Sequence, residues 1–147
     1  PERTVCRDDF MKTILIGVLL LMPTYLFAAG SRPIEVEQLV KTIASWDGSK
    51  LPSYGKGQAE VTIFKITIPV GGEVPWHIHP TINAGFIIVG RLTVFTDAGE
   101  KHELMAGDTI VEVVGKAHRG INSGVVPVEL IVFYAGVEGK PLTIEVD

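Results

Sequence analysis

Beyond residue 58 the sequence is a succession of short β-branched runs separated by turn signals, and this alternation restricts the fold more than any other feature. The runs cover residues 60–68, 85–96, 108–114 and 127–135, with a last short one near 142–146. Gly, Pro, Asn and Asp are concentrated between them. Strands of this length and spacing are typical of an antiparallel β-barrel or β-sandwich. We therefore predict an all-β domain.

Length and charge exclude several classes of protein. The chain has 147 residues, 46% of them hydrophobic and 20% charged, which fits one folded domain and not a disordered chain. Thirteen Lys and Arg against 17 Asp and Glu give a net charge of −4, without a basic cluster. No nucleic-acid partner is expected, because neutralising phosphates needs concentrated positive charge. The single cysteine, Cys6, excludes an intrachain disulfide and a cysteine-based zinc site.

The N-terminal 30 residues are typical of an export signal. Residues 13–31 carry no charge, and 14–22 form an apolar core of signal-peptide length. Ala28 and Gly30 are small residues two apart, as a signal peptidase requires. The alternative is an uncleaved membrane anchor, but the apolar stretch is short for one and Pro23 interrupts it. We expect cleavage after Gly30 and a periplasmic or secreted protein, with no membrane contact after cleavage.

On this interpretation the chain has three parts. Residues 1–30 are an N-terminal extension and signal peptide, 31–58 an N-terminal arm, and 59–147 the β-barrel domain. Within the arm, apolar residues hint at a short amphipathic turn or helix; they are Ile34, Val36, Leu39, Val40 and Ile43. The segment Trp46-Asp47-Gly48-Ser49 predicts a turn.

Two of the four histidines, His77 and His79, are separated by one residue. Residues i and i+2 of a strand point to the same face, so both imidazoles can serve one metal ion. The pair alone is a weak signal, since two surface histidines would give the same pattern. Its context is more specific. The fixed positions around it fall into two groups: Gly71, His77, His79, Asn83 and Gly90, then Gly107, Val113, Gly115, His118 and Asn122.

These spacings resemble the two-part signature of the cupin superfamily, G(X)5HXH(X)3–4E(X)6G and G(X)5PXG(X)2H(X)3N. Two positions depart from it: Asn83 stands where the family usually has Glu, and Val113 where it usually has Pro. The segments 46–49 and 132–136 are also similar to those of small secreted single-domain cupins with a type-2-like conserved barrel. The resemblance implies a double-stranded β-helix, the cupin jelly-roll barrel, and a homodimer formed by packing or exchange of edge strands.

The resemblance also implies a metal site. His77, His79 and His118 would be its ligands, with Asn83 in the place of the carboxylate. Three imidazoles suit a divalent transition ion, and the ligand types alone do not choose among Fe, Mn, Ni, Cu and Zn. An amide oxygen is neutral, so we expect weaker metal binding than with a carboxylate. Two alternatives stay open: three histidines alone hold the ion while Asn83 orients water or substrate, or the pocket is metal-free.

Glu112 is an unusual charge within an apolar run. It is a candidate catalytic base if its carboxylate reaches the cavity, and a plain surface residue if it faces solvent. The remaining polar and aromatic residues have structural explanations. Trp76 and Phe86 wall a pocket or belong to the core or a subunit interface; His102 lies at the surface; Arg119 points away from the face of His118; Asn122 is a structural turn residue.

Two classes of function follow. The first is a metal-dependent enzyme, a dioxygenase-like oxidoreductase acting on a small organic molecule, because three-histidine sites resemble those of cupin dioxygenases. An isomerase or a decarboxylase is compatible with the same fold and metal site. The second is a non-catalytic module that captures or senses a small ligand. A third possibility, a purely structural β-module, requires that the three histidines occur at these positions by coincidence.

Overall fold

The computed structural model describes residues 32–146, and none of these residues is helical. Nine strands are present in this range: β1 (Ala59–Ile68), β2 (Glu73–Ile78), β3 (Ile82–Val89), β4 (Arg91–Thr96), β5 (Lys101–Met105), β6 (Thr109–Val111), β7 (His118–Asn122), β8 (Val128–Val137) and β9 (Ile144–Glu145). They belong to one compact unit that begins at Val36. The predicted signal peptide lies outside the described residues. Within them, no helix has the length and apolarity to span a membrane.

The strands form two antiparallel sheets. One has the order β1-β8-β3-β6, and the other β5-β4-β7-β2-β9. Both contribute to the buried core, the four-stranded sheet through residues such as Ile87 and Leu130 and the five-stranded sheet through Leu92 and Val94. The alternation of side chains along a strand explains how each sheet contributes to the core. In β8, for example, buried residues alternate with outward-facing ones along the whole strand. The predicted all-β jelly-roll architecture is confirmed.

The sequence runs and the strands differ in two ways. The run 85–96 is two strands, because the chain turns at Gly90 with a φ of +89°. A Cβ on Gly90 would lie 2.7 Å from the carbonyl oxygen of Pro127, so only glycine fits this close approach. Strands β2, β5 and β7 were not among the predicted runs. Their sequences, EVPWHI, KHELM and HRGIN, hold few β-branched residues.

The N-terminal arm contains the predicted turn but no helix. Residues 32–42 have no regular secondary structure, so the helical alternative for the arm is wrong. Leu39 and Val40 instead line a groove together with Phe86, Ile131 and Phe133 of the four-stranded sheet. The turn at 46–49 is confirmed by a hydrogen bond from the Gly48 amide to the Ser45 carbonyl at 2.9 Å.

Candidate metal centre

Three histidines meet at one end of the five-stranded sheet. His77 lies on β2, His79 follows that strand directly, and His118 begins β7. Because β2 and β7 are hydrogen-bonded neighbours, His77 and His118 are paired across the strands. One ring nitrogen from each of the three lies within 4.8 Å of the others. All three side chains are buried.

The orientation of each ring is fixed by a backbone carbonyl. The Nδ1 atoms lie 2.7 Å from the Pro75 oxygen for His77, 2.8 Å from the Leu142 oxygen for His79, and 3.0 Å from the Lys116 oxygen for His118. A carbonyl only accepts hydrogen bonds, so each Nδ1 must donate, and each neutral ring then presents its Nε2 lone pair. Metal-binding histidines are usually held in this way.

The Nε2 atoms converge without enough protein donors to satisfy them. The Nε2 atoms of His77 and His79 are 3.2 Å apart. The buried Nε2 of His118 has no hydrogen-bond partner among residues 32–146. Lone pairs this close repel one another unless a cation, either a proton or a metal ion, lies between them. The three residues therefore fit a divalent transition ion in their donor type and in their arrangement.

Glu112 reaches this cluster from the other sheet. It follows β6 directly, and its Oε2 lies 2.8 Å from Nε2 of His79 and 3.7 Å from Nε2 of His118. Its side chain is 13% exposed, so the alternative that it faces solvent is wrong. The carboxylate and the three imidazoles together form one buried polar cluster.

The proximity of these groups shifts their pKa values. Burial raises the pKa of the Glu112 carboxyl, but the His118 and His79 imidazoles outweigh burial and hold that pKa below its usual range. Burial lowers the pKa of His118, yet Glu112 more than compensates and the pKa is raised. The pKa of His77 is lowered, chiefly by burial and then by the neighbouring His118 and His79. Glu112 therefore stays ionised at neutral pH.

Asn83 is close to this group in the fold but makes no side-chain contact that the structure records. It lies fully buried on β3, and neither Oδ1 nor Nδ2 has a hydrogen-bond partner in the described part of the chain. Its backbone carbonyl accepts a hydrogen bond from the Glu112 amide at 3.4 Å. The roles of Asn83 and of the three histidines as metal ligands stay predictions.

The three histidines and Glu112 line a cavity of about 220 Å³. Aliphatic side chains form most of the wall; they include Ile66, Leu92, Val94, Leu130 and Val132. Tyr134 and Thr143 add hydroxyl groups beside the histidines. Burial, with the charge of Glu112, raises the pKa of Tyr134 to about 12. No Lys or Arg among residues 32–146 lines this cavity.

The aromatic and basic residues singled out in the sequence lie elsewhere. Trp76 and Phe86 do not line the cavity. Arg119 does point away from it, with its guanidinium 5.2 Å from the Trp76 ring centroid. His102 is half-buried rather than fully at the surface, because it stacks on Trp46 with a centroid distance of 5.3 Å. Asn122 is structural: its Nδ2 donates to the Ile68 carbonyl at 3.0 Å.

Tyr134 was missed as a cavity residue in the sequence. A signal for it exists, since a period of two from Val128 puts Leu130, Val132 and Tyr134 on one face of β8. Thr143 had no such signal, because it precedes a strand of only two residues.

The chain matches a known protein family. The family described as Cupin domain matches residues 64–134, the segment that holds all three histidines and Glu112. The chain is a cupin. Its resemblance to that superfamily, drawn from the motif spacing, is thereby confirmed. A search of curated proteins found no match for this cupin.

Solved structures share the fold. An oxalate oxidase in complex with the substrate analogue glycolate is 24% identical with a TM-score of 0.51, and the alignment covers 58% of this chain and 46% of that one. The DMSP lyase DddQ from Ruegeria pomeroyi DSS-3 is 19% identical with a TM-score of 0.50, over 67% of this chain and 46% of that one. The cupin thus spans less than half the length of either protein, and these likenesses show the fold alone.

Proposed function

We propose that this cupin is a metal-dependent enzyme that acts on a small organic molecule, as a dioxygenase-like oxidoreductase. The observation that carries the proposal is the set of three buried imidazoles, each held at Nδ1 by a backbone carbonyl, that lie close together and line one cavity. A bound divalent transition ion would supply Lewis acidity and, for a redox-active metal, electron transfer.

The residues of the chain would position the molecule and exclude water. His77, His79 and His118 would hold the ion at the wall of the cavity. Tyr134, whose raised pKa keeps its phenol protonated at neutral pH, can donate a hydrogen bond to a bound molecule. Glu112 is the carboxylate within reach of the site and the candidate for accepting a proton at Oε2.

The walls of the cavity favour a small, largely apolar substrate with one polar head. At about 220 Å³ the cavity is smaller than most pockets for drug-sized ligands, which begin near roughly 300 Å³. Its aliphatic wall would pack against the apolar part, and the polar head would lie beside the histidines. A dicarboxylate would bury a second charge where no Lys or Arg lines the wall, which is costly.

A non-catalytic ligand-binding or sensing module is the second candidate. It is favoured by the engagement of Glu112, since the only carboxylate lining the cavity in the described part of the chain already contacts two imidazoles. A binding module needs the pocket but no free proton acceptor.

Metal content tests the proposal. The full chain would be expressed without a His tag in a host with an export pathway, and its metals measured by mass spectrometry. We expect about one transition ion per chain. Oxygen consumption with diketones, catechols and thiols would then support the enzyme. Thermal stabilisation by a ligand, without turnover, would support the binding module. A chain that still holds no metal after incubation with each ion would contradict both the metal-dependent enzyme and a metal-dependent binding module.

We also propose that the cupin is exported. The support is the uncharged stretch 13–31 and the small residues Ala28 and Gly30. N-terminal sequencing of the protein recovered from the periplasm or medium should begin at Ser31. Recovery of the uncleaved chain in the cytoplasm would contradict it.

The proposed partner, besides the small molecule, is a second copy of the chain. The outer face of the four-stranded sheet exposes neighbouring large apolar side chains, among them Val61 at 62%, Ile63 at 63% and Phe133 at 41%. Ile63 and Phe133 are direct cross-strand partners. Among the described strands β1 pairs only with β8, so its free edge can meet the same edge of a second copy around a two-fold axis.

A further inference from the structure

We propose that Glu112 supplies a fourth metal ligand, so that the carboxylate of this centre enters from β6 and not from position 83 on β3. The inference rests on the metal-dependent function proposed above. It assigns the carboxylate to the metal rather than to proton transfer, and it removes Asn83 from the ligand set.

The donor atoms have the spacing of a shared coordination sphere. Oε2 of Glu112 lies 2.8 Å from Nε2 of His79 and 3.7 Å from Nε2 of His118, while the Nε2 atoms of His77 and His79 are 3.2 Å apart. Ligand atoms that each lie about 2.1 Å from one first-row ion are roughly 3 to 3.5 Å from one another. The carboxylate oxygen therefore lies close to ligand spacing from two of the three imidazoles, those of His79 and His118.

Charge favours the same assignment. The Glu112 carboxyl group is largely buried in a cavity that no Lys or Arg of residues 32–146 lines, and a carboxylate in such a place is stabilised by a cation. Imidazoles whose Nδ1 atoms donate to backbone carbonyls present their Nε2 atoms to a metal ion. A divalent ion among the Nε2 atoms would neutralise the carboxylate and satisfy the lone pairs together.

The strand register explains how a carboxylate can be moved from one position to the other. Strands β3 and β6 are antiparallel neighbours in which Ala84 pairs with Val111, so Asn83 and Glu112 are the next pair along. The hydrogen bond from the Glu112 amide to the Asn83 carbonyl at 3.4 Å confirms that they are adjacent. A carboxylate side chain at position 83 or at position 112 therefore begins at the same end of the β3–β6 strand pair.

The arm fixes the backbone that carries Glu112. The Trp46 amide donates to the Val111 carbonyl at 2.9 Å, and the Ser45 hydroxyl donates to the Glu112 carbonyl at 2.9 Å. Beyond Glu112, the Gly115 amide donates to the His79 carbonyl at 2.9 Å. Glu112 is thus tied to the arm on one side and to a histidine of the site on the other, which is the support that a ligand needs.

The test is Glu112→Gln in the full chain, with Co²⁺ as the probe. Co²⁺ affinity would be measured by chelator competition, and its geometry by the visible absorption spectrum. For a ligand we expect the affinity to fall at least tenfold and the spectrum to change. Glu103→Gln, an exposed carboxylate on β5, is the matched control and should change neither.

A restoring variant sharpens the test. Asn83→Glu combined with Glu112→Gln returns the carboxylate to the neighbouring strand, and we expect it to recover most of the lost affinity. Should Glu112→Gln not fold, Glu112→Asp keeps the charge but shortens the side chain, and the same loss of affinity is expected. A wild-type chain that binds Co²⁺ while Glu112→Gln binds it equally, with an unchanged spectrum, overturns the inference but not the metal-dependent function. A wild-type chain that binds no metal overturns both.

Discussion

The two sheets of this cupin contribute different chemistry to the same cavity. The five-stranded sheet provides all three imidazoles, from β2, the residue after it, and β7. The four-stranded sheet provides the carboxylate of Glu112 and the phenol of Tyr134. His77 and His118 are held by carbonyls two residues away in the chain, whereas His79 bonds to the distant Leu142 carbonyl and the carboxylate depends on the pairing of β3 with β6. We expect the imidazoles of the five-stranded sheet to provide most of the metal affinity, and the side chains of the four-stranded sheet to modify that affinity.

The outer faces differ as well. On the five-stranded sheet Arg119 covers Trp76 and pairs with Glu73 at 3.4 Å, and Lys101 pairs with Glu103 at 2.5 Å. The outer face of the four-stranded sheet is apolar and exposed around Ile63 and Phe133. A face covered by charges stays in water, whereas an exposed apolar face of this kind marks an interaction site. One face of the four-stranded sheet therefore lines the cavity, and the other is the face on which we propose that the second copy binds.

The largest expected effect is loss of metal on removal of an imidazole. We expect His79→Ala to reduce bound metal per chain to near zero after purification, an affinity loss of about 100-fold or more, because one of three strong donors disappears. The measurement is metal content by mass spectrometry. His102→Ala is the control, since His102 only stacks on Trp46. Unaltered metal content in His79→Ala would mean that the ion binds elsewhere.

The sequence singled out the three imidazoles by their spacing, but it left open whether the Glu112 carboxylate reaches the cavity or faces solvent, and the reason is physical. His77 and His79 share a face through the two-residue period of a strand, and the spacing to His118 follows the two-part motif, so local pattern was sufficient. Glu112 reaches the site only because β6 pairs with β3 in one particular register. A single sequence without its pairings does not contain that register. The same applies to β5 and β7, whose polar sequences lack the β-branched signal but are held by pairing with β4.

The second prediction tests the contrast between the outer faces. Phe133→Arg should leave the monomer folded, because this side chain is already 41% exposed, and should raise the dimer dissociation constant about 100-fold by placing a charge in an apolar interface. Sedimentation velocity over a range of concentrations measures it. Glu103→Arg on the outer face of the five-stranded sheet is the matched control and should not alter sedimentation. A wild-type chain that is monomeric at every concentration would contradict the proposed homodimer.

The smallest expected effect concerns the turn at residues 46–49, which is bonded to segments of both sheets near the site. This turn bonds to residues 111 and 112 of the four-stranded sheet through Ser45 and Trp46. On the other side Asp47 pairs with Lys116, whose carbonyl accepts the hydrogen bond from His118 Nδ1. Burial raises the pKa of Asp47, but Lys116 and Ser49 outweigh it and lower the pKa to about 2 from 3.8. The native carboxylate therefore binds protons more weakly than the unfolded one.

The sign of the pH dependence follows from that difference. A depressed native pKa stabilises the fold above the unfolded value of 3.8, and this contribution is lost as the pH falls from about 4 towards 2. We expect Asp47→Asn to lower the free energy of unfolding by about 1 to 2 kcal/mol at pH 7 and by much less near pH 2, because Lys116 is partly exposed and solvent weakens the pair. Urea denaturation of both proteins at pH 7, 4 and 2 measures the difference. A difference that is constant with pH would show that the Asp47 charge contributes nothing to stability, and that the turn is held at the two sheets by its backbone hydrogen bonds alone.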